Sequence, residues 1–277
     1  MKRVGLTLLP LKLKEQLMDQ TMELLLNRRS VRVYEGKELS KEVKKKIIAA
    51  TLRAPTAGNM MLYSIIEVND QRTKDTLVRT CDNQPFIAKA PFVLLFLADY
   101  QRWYDYFHVS GVERLCEQKG IVMRKPKEGD LFLACCDALI AAQTAVVAAE
   151  SIGIGSCYIG DIMENYEEHK ELFGLPKYVF PISLVCFGYP TRQQRGRELT
   201  PRFDKKYIVF EDRYSRFGRE ELEEMYRERQ EQVFRARTDI KGARNIGQLM
   251  YTQKFDSDFA REMTRSVRAM VQTWVED

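Results

Sequence analysis

The sequence predicts an α+β protein, and three observations support this class. Residues 62–69 and 91–99 are rich in β-branched and aromatic side chains, and residues 181–190 form another apolar run of strand length. Helical patterns lie between these predicted strands at unequal spacing, which fits α+β better than a regular β-α-β repeat. The chain has 277 residues, 45% of them hydrophobic, so it can bury a sizeable core without disulfide or metal support.

Two helices are predicted before the first strand. Apolar side chains in residues 11–27 keep helical spacing, with Lys, Glu and Gln between them. Ser40 is a suitable N-cap for the second helix, whose apolar face includes Ile47 and Ala54, and Pro55 ends it. The loop sequence PTAGN begins at this proline.

A long apolar helix is predicted over residues 131–152, with Asp130 as its N-cap and Gly153 as its C-cap. Its polar interruptions are Asp137, Gln143, Thr144 and Glu150. The helix is long enough to cross a bilayer, but two carboxylates make insertion costly and basic flanks are missing. We therefore expect a buried central helix and no membrane association.

The C-terminal part predicts two further helices. Residues 199–210 are expected to be irregular or an edge element, and a charged helix follows within residues 211–232. The last helix carries apolar side chains every three or four residues: Phe259, Met263, Val267, Met270 and Trp274. This face packs on the chain's own core or on a second subunit, and periodicity alone does not choose between them.

Charge and cysteine content exclude several classes of function. The chain has 44 basic and 39 acidic side chains in mixed order, which disfavours nucleic acid as a partner. Residues 192–206 are a basic exception that suits a phosphate, or is simply a solvated loop. Six cysteines without C-x-x-C spacing and only two histidines predict no metal site. Cysteines in apolar runs and the lack of a cleavable leader favour the cytoplasm.

Sequence motifs for hydrolysis and for common nucleotide folds are absent. Neither histidine lies beside a G-x-S-x-G turn, and no Walker loop occurs. The glycines of GIGSCYIG follow a predicted helix and fail the G-x-G-x-x-G spacing, which disfavours a Rossmann domain. The segment Arg28, Arg29, Ser30 and Arg32 remains, and its guanidiniums and hydroxyl can hold one phosphate. A basic helix end is also what the helix dipole favours.

Four segments together resemble the FMN-dependent nitroreductase family. They are NRRSVRVYEGKELS, LRAPTAGNMMLYSIIEV, SIGIGSCYIGDI and VCFGYPTRQQRGRELTPRF, in that order. The resemblance implies an α+β fold with a central, mostly antiparallel sheet flanked by helices. It also implies a homodimer with one FMN per subunit at the interface. We expect one nitroreductase-like domain over residues 1–277, with a recognisable core at about 22–212 and a C-terminal helical extension at 213–277.

The resemblance also implies positions for the flavin contacts. Arg28, Ser30 and Arg32, with Arg29 alongside, would hold the ribityl phosphate and the pyrimidine edge. Pro55, Thr56, Ala57 and Asn59 would line the flavin, from the partner subunit. Ile159 and Gly160 would offer backbone groups near flavin N5. Arg202 would reach the phosphate, with Arg195 and Arg197 as alternatives. The family commonly shows Gln-Pro-Trp where this chain has Met61, Leu62 and Tyr63, which leaves no side-chain amide at position 61.

The expected activity is hydride transfer from NAD(P)H through FMN to a nitroaromatic, a quinone or a similar acceptor. The flavin carries this chemistry, so no catalytic side chain is required. One alternative is an FMN-binding sensor or docking module without turnover, and another is a specialised member of the scaffold that cleaves a flavin or dehalogenates its substrate. The aromatic residues Trp103, Tyr104, Tyr106 and Phe107 would cap the flavin, or would simply pack as a partly buried loop.

Overall fold

The computed structural model describes residues 20–236 and 242–276. Its sheet contains β1 (Tyr63–Glu67), β2 (Phe92–Asp99), β3 (Gly155–Ile159) and β4 (Val179–Gly188), in the order β1-β2-β4-β3. All three pairs of neighbouring strands are antiparallel, which confirms the expected sheet. β1 and β3 are therefore the two edge strands.

Helices cover the sheet and form the C-terminal part. In chain order they are α1 (20–27), α2 (Lys41–Thr51), α3 (Gln71–Thr80), α4 (Phe86–Lys89), α5 (Gln101–Val109), α6 (Val112–Gln118), α7 (Glu128–Glu150), α8 (Tyr166–Phe173), α9 (Arg192–Arg195), α10 (Arg219–Ala236), α11 (Ile246–Met250) and α12 (Asp258–Val275). Single helical turns occur at Ala57–Asn59, Asp161–Met163 and Lys205–Tyr207, and a π turn at Tyr251–Phe255.

The chain divides into two compact units. The first contains the sheet and extends to Leu199, and the chain returns to it from Arg265 onwards. The second unit is Thr200–Thr264 and has its own small core, in which Ala243, Ile246 and Leu249 are buried.

The first unit is built around α7. One face of this helix is lined with small buried side chains that let it lie close to the sheet: Ala134, Ala138, Ala141, Ala142, Ala145 and Ala149. The strands beneath it, β2 and β4, are buried along their whole length. By length and composition α7 is the one described helix that could span a membrane. In this structure it is the core helix that the sequence predicts.

The opposite face of α7 is exposed and apolar. We call Phe132, Leu133, Cys136, Leu139 and Ile140 the α7 stripe, since all five are exposed. Phe132 is the most open of the large side chains among them, at 72%. A continuous apolar face of this kind on a core helix marks a surface for association.

The start of α7 differs from the prediction. The helix begins at Glu128 with Lys127 as its N-cap, and Asp130 lies in its first turn. The Asp130 carboxylate accepts a hydrogen bond from the Lys127 N–H at 2.8 Å. The expectation that Asp130 is the N-cap was therefore wrong, because its side chain reaches back to the cap instead of starting the helix. At the other end, α7 stops at Glu150 with Ser151 as its C-cap, so the expectation that Gly153 is the C-cap was wrong. Gly153 lies in the following turn, where its φ of 77° turns the chain towards β3.

Several other predicted elements are confirmed. Ser40 caps α2 by accepting from the Val43 N–H at 3.3 Å, and the helix ends at Thr51, before Pro55. The predicted helix at 11–27 falls within the described residues only at 20–27, which are helical. The end of α12 packs on the chain's own core, where Met270 and Trp274 are buried. No strand was predicted at β3, and no helix was predicted at α5, whose sequence is mostly aromatic and polar.

Candidate functional site

The arginine segment at residues 28–32 runs along the free edge of β3. Ser30 forms a parallel bridge with Ser156, and the Val31 N–H donates to the Ser156 carbonyl at 2.8 Å. Val31 is buried against Gly155, where an added Cβ would lie 2.5 Å from Val31 Cγ2. The absence of a side chain at Gly155 therefore lets Val31 pack against β3. This contact explains why a glycine stands at position 155, where no nucleotide-binding motif requires one.

Hydrogen bonds from Arg29 and Arg197 join the arginine segment to residues 195–197, at the end of α9. Arg29 Nη1 donates to the carbonyls of Arg195 and, at 2.6 Å, of Arg197. In return, Arg197 Nη2 donates to the Ser30 carbonyl at 2.7 Å. The Arg195 side chain is held by Glu35 Oε1 at 3.0 Å. Arg29, Arg195 and Arg197 thus have protein partners that hold them in place.

The other two arginines of the segment have unused donors. Arg28 Nη1 is buried and has no hydrogen-bond partner among residues 20–236 and 242–276. The Arg32 side chain is exposed, and no hydrogen bond of its guanidinium is found among the described residues. A buried guanidinium nitrogen without a partner is costly, so it calls for an acceptor. A phosphate or another anionic group has the oxygens to satisfy it.

The charge of Arg28 and Arg32 acts on the neighbouring strand. Burial raises the pKa of the Cys157 thiol, and Arg32 and then Arg28 oppose this rise. Burial also raises the pKa of Tyr158 to about 12, again against Arg28. The positive charge of the arginine segment therefore extends over β3, whose last residue Ile159 is buried and is followed by the exposed Gly160.

A second candidate segment, Pro55–Asn59, lies before β1. The buried Asp137 of α7 accepts hydrogen bonds from the N–H groups of Ala57 and Leu62, both at 3.0 Å. Thr56 Oγ1 accepts from the Met61 N–H at 2.8 Å. These bonds hold a loop in which Gly58, Asn59 and Met61 all have positive φ. The loop is thus fixed by the central helix, while Pro55 and Asn59 remain exposed.

A cavity of about 520 Å³ opens between this loop and α5. Its lining includes Asn59, Met60 and Met61 from the loop and Trp103, Tyr106 and Val109 from α5. Trp103 Nε1 donates to the Met60 carbonyl at 2.7 Å, which fixes the indole against the loop. The predicted aromatic group therefore divides: Tyr104 and Phe107 pack on the core, whereas Tyr106 is 59% exposed at the cavity.

The two candidate segments lie on opposite edges of the sheet. The arginine segment lies beside the outer edge of β3, and the loop at 55–61 leads into β1, with β2, β4 and β3 between them. Four strand spacings amount to about 19 Å. Within one chain, Ser156 of β3 pairs with the arginine segment, and Ile159 and Gly160 lie at the end of that same strand. Pro55, Thr56, Ala57 and Asn59 lie before β1, at the other edge of the sheet.

Comparison with known proteins identifies the family. The nitroreductase family model matches residues 25–189, which include the arginine segment, the loop at 55–61 and β3. The chain belongs to the nitroreductase family. The match ends before α9, so Arg195, Arg197 and Arg202 lie outside the part that the family model covers.

Individual nitroreductase relatives extend the match over most of the chain. A Cr(VI) reductase from Pseudomonas sp. (strain G-1) is 33% identical over 216 residues, covering 78% of this chain and 84% of that protein. An FMN reductase [NAD(P)H] from Bacillus subtilis is 30% identical over 251 residues, covering 89% and 96%. Among solved structures, NfrA1 from B. megaterium superposes with a TM-score of 0.74 at 27% identity, covering 91% of this chain and 98% of that one.

Arg202, the remaining predicted residue, belongs to the second unit of this nitroreductase. Its Nη1 donates to the Thr200 carbonyl at 3.0 Å. It lines a cavity of about 670 Å³ with Lys206, Glu224 and Arg229. Lys206 is bonded to Glu224 at 2.9 Å, so part of the basic charge is balanced within the cavity.

Sequence reasoning missed Asp137 as a support of the site, although a signal was present. A carboxylate inside an apolar helix needs a buried partner, and Asp137 is such a residue. No comparable signal distinguishes Arg195 and Arg197 from Arg202, because all three are exposed basic residues that follow no periodic pattern in the sequence.

Proposed function

We propose that this chain is an FMN-dependent oxidoreductase that takes hydride from NAD(P)H and reduces a nitroaromatic, a quinone or a similar acceptor. The unpartnered buried nitrogen of Arg28 in the arginine segment carries this proposal for the chain itself. Membership of the nitroreductase family and relatives named as an FMN reductase and an oxygen-insensitive NADPH nitroreductase support it.

The residues of the β3 edge fit the cofactor. Arg28, Ser30 and Arg32, with Arg29 alongside, would hold the ribityl phosphate and the pyrimidine edge, as the family resemblance implies. Two hydrogen bonds hold this segment in place: Arg29 donates to the Arg197 carbonyl, and Arg197 donates to the Ser30 carbonyl. Ile159 and Gly160 would present backbone groups to the ring. When bound, FMN supplies the hydride chemistry, so these residues need only bind and orient it.

A second copy of the chain would complete the site. Pro55, Thr56, Ala57 and Asn59 lie on the far edge of the sheet from the arginine segment, so one flavin would meet both sets only across a dimer interface. The exposed α7 stripe is the surface we assign to that homodimer, because burying it removes a large apolar area from water. FMN would then lie at the subunit interface.

The cavity between the loop and α5 is the proposed acceptor site. Methionine and aromatic side chains dominate its lining, and such polarizable groups suit a planar aromatic or quinone acceptor. Arg102, which also lines it, donates to the Tyr63 carbonyl at 3.2 Å and is thereby held by the protein. Turnover of such an acceptor is what separates the enzyme from a non-catalytic FMN-binding module.

We further propose a cytoplasmic protein with a single nitroreductase-like domain and a C-terminal extension. Six free cysteines, three of them buried, suit a reducing compartment. The extension is not an independent domain in this view, because its last helix ends in the first unit with Trp274 buried there. Trp274 Nε1 donates to the Lys127 carbonyl at 3.0 Å, which anchors that end.

The test begins with the absorption spectrum of the purified full-length protein and the identity of the released chromophore. We expect about one FMN per chain and bleaching by NADH or NADPH without oxygen. Arg28→Ala removes a charge-assisted contact of about 1.5–3 kcal/mol and should weaken FMN binding roughly tenfold to over a hundredfold. Arg268→Ala, an exposed arginine of α12, is the matched control.

Two results would contradict the proposal. A protein that stays colourless with added FMN would refute the cofactor assignment. A bound flavin that dithionite reduces but NAD(P)H does not would refute the oxidoreductase assignment and favour the binding module.

A further inference from the structure

His169 of α8 is a buried polar group that the proposed function leaves unused. Its side chain is 0% exposed, and burial lowers the pKa of the imidazole, so the ring is neutral near pH 7. Nδ1 lies 2.9 Å from the Ile162 carbonyl oxygen, and Nε2 lies 2.8 Å from Oγ1 of Thr80, the last residue of α3. The ring therefore bridges the end of α3 and the helical turn that follows β3.

These two contacts determine which ring nitrogen of His169 carries the proton. A carbonyl oxygen only accepts hydrogen bonds, so the contact with Ile162 requires an N–H at Nδ1. In a neutral ring Nε2 is then an acceptor, and the Thr80 hydroxyl donates to it at 2.8 Å. The other acceptor within reach of that hydroxyl, the Thr76 carbonyl, is farther away at 3.1 Å. The imidazole thus accepts from α3 and donates to the turn.

Two more side chains attach the same part of the chain to the end of α3. We call residues 160–163 the Gly160 turn. Gln84 Nε2 donates to Asp161 Oδ2 at 3.1 Å, and Asn165 Nδ2 donates to the Thr80 carbonyl at 2.9 Å. Together with the imidazole, these bonds hold the turn and the residues after it from the side of α3.

Gly160 itself has a free face. It is exposed, its φ of −79° suits any residue, and an added Cβ would meet no atom within 4 Å. No hydrogen bond from its N–H is found among residues 20–236 and 242–276. The packing of these residues therefore gives no reason for a glycine here, whereas the close approach of a flat ligand to the backbone does.

We propose that His169 is a positioning residue for flavin reduction: its Nδ1–H holds the Ile162 carbonyl, and this bond keeps the Gly160 turn in place against the flavin ring. The inference rests on the proposed function, in which Ile159 and Gly160 present backbone groups to the ring. A backbone N–H has no rotamer to adjust, so its position depends on the bonds that hold its turn. The buried imidazole acts only through the turn.

Two substitutions separate the two ring contacts of His169. His169→Asn places an amide N–H near the position of Nδ1, so it can still donate to the Ile162 carbonyl. His169→Gln places its amide near the position of Nε2, so it keeps a partner for Thr80 and loses the bond to the turn. Asp70→Ala is the control, because Asp70 caps the other end of α3 by accepting from the Thr73 N–H at 2.8 Å.

The experiment measures the turn and its function separately in the full-length protein. Inside the turn, the Met163 N–H donates to the Gly160 carbonyl at 3.0 Å, so hydrogen exchange at Met163 in the flavin-free protein reports opening of the turn. Reduction of bound FMN by NADPH without oxygen, followed by stopped flow, reports function. We expect His169→Gln to speed the exchange and slow the reduction by about tenfold each, the effect of losing one hydrogen bond. His169→Asn and Asp70→Ala should stay close to the wild type in both.

Three results would overturn the proposal. The first is unchanged exchange at Met163 in His169→Gln. The second is equal impairment of His169→Asn and His169→Gln, which would mean that only the volume of the ring matters. The third is faster exchange with an unchanged rate of flavin reduction. If even the wild type does not bind FMN, the proposed function is refuted and this inference with it, whereas a wild type that binds FMN confines the failure to His169.

The wild-type protein decides the matter if the His169 variants do not fold. The chain has two histidines, and the His108 side chain is 38% exposed, so nitrogen-15 spectra of the rings contain one buried and one solvent-accessible histidine. A His108→Gln variant identifies the signals of His108. We expect His169 to be a single tautomer with its proton on Nδ1. A proton on Nε2 would remove the hydrogen bond to Ile162 and refute the assignment.

Discussion

Replacing Asp137 tests whether α7 holds the loop at 55–61. Asp137 is 2% exposed and accepts the N–H groups of Ala57 and Leu62, both at 3.0 Å. Asp137→Ala leaves both amides without this acceptor. A hydrogen bond to a charged group contributes about 1.5–3 kcal/mol. Since Ala57 is only half-buried and its amide can find water, the expected loss of unfolding free energy is about 2–4 kcal/mol.

The assay is urea unfolding at a fixed protomer concentration, because the proposed homodimer would make stability depend on concentration. Asp137→Asn keeps one acceptor oxygen and should lose less stability than Asp137→Ala. Asp75→Ala, which removes an exposed carboxylate bonded to Gln71 of the same helix, should stay within about 0.5 kcal/mol of the wild type. An Asp137→Ala protein as stable as this control would refute the reasoning.

Three further outcomes follow from the geometry. Gly155→Ala should cost about 1–3 kcal/mol and weaken FMN binding, because its Cβ would overlap Val31; thermal unfolding and flavin titration measure both effects. Hydrogen bonds from Arg265 lower the pKa of Glu167 to about 2. The stabilisation that these hydrogen bonds provide should be complete above about pH 4.5 and lost as the pH falls towards 2. Because both side chains are at least half exposed, Arg265→Ala should change the unfolding free energy in this acid range by under about 1 kcal/mol. Leu139→Glu places a charge in the α7 stripe and should give a monomer in light scattering.

Controls for these variants come from positions without the proposed contacts. Gly36→Ala adds a Cβ that meets no atom within 4 Å, so it should leave stability and FMN binding unchanged. Val122→Glu places the same charge at a side chain that is 93% exposed outside the α7 stripe. Persistence of the dimer in Leu139→Glu, or its loss in Val122→Glu, would contradict the assignment of the interface.

Long apolar patterns were the most predictable part of this fold. β2 and β4 are buried along their whole length and α7 along one face, and such burial requires the long apolar runs that mark these elements in the sequence. β3 was missed because GSCYI contains a glycine and a serine whose role is contact with the arginine segment. Their reason for being there lies in another part of the chain, which no local pattern reveals.

The polar interruptions of α7 carried more information than their spacing suggested. Asp137 holds the loop at 55–61, Gln143 accepts from the Tyr158 hydroxyl at 3.2 Å, and Glu150 accepts from Ser156. Each therefore connects the central helix to a part of the candidate site. The sequence shows that such residues need partners, but the partners are distant along the chain and only the fold identifies them.

The arginine segment also determines when a flavin site can exist during folding. Arg197 and Ser30, which bond to each other there, are 167 positions apart in the chain. Closing a chain loop of this length costs entropy, so we expect this contact to form after the intervening sheet has brought its ends together. A nascent or partly folded chain thus presents no cradle for the cofactor. The FMN proposed for this site would then bind only the assembled fold, so cofactor supply would raise the fraction of newly made protein that stays folded.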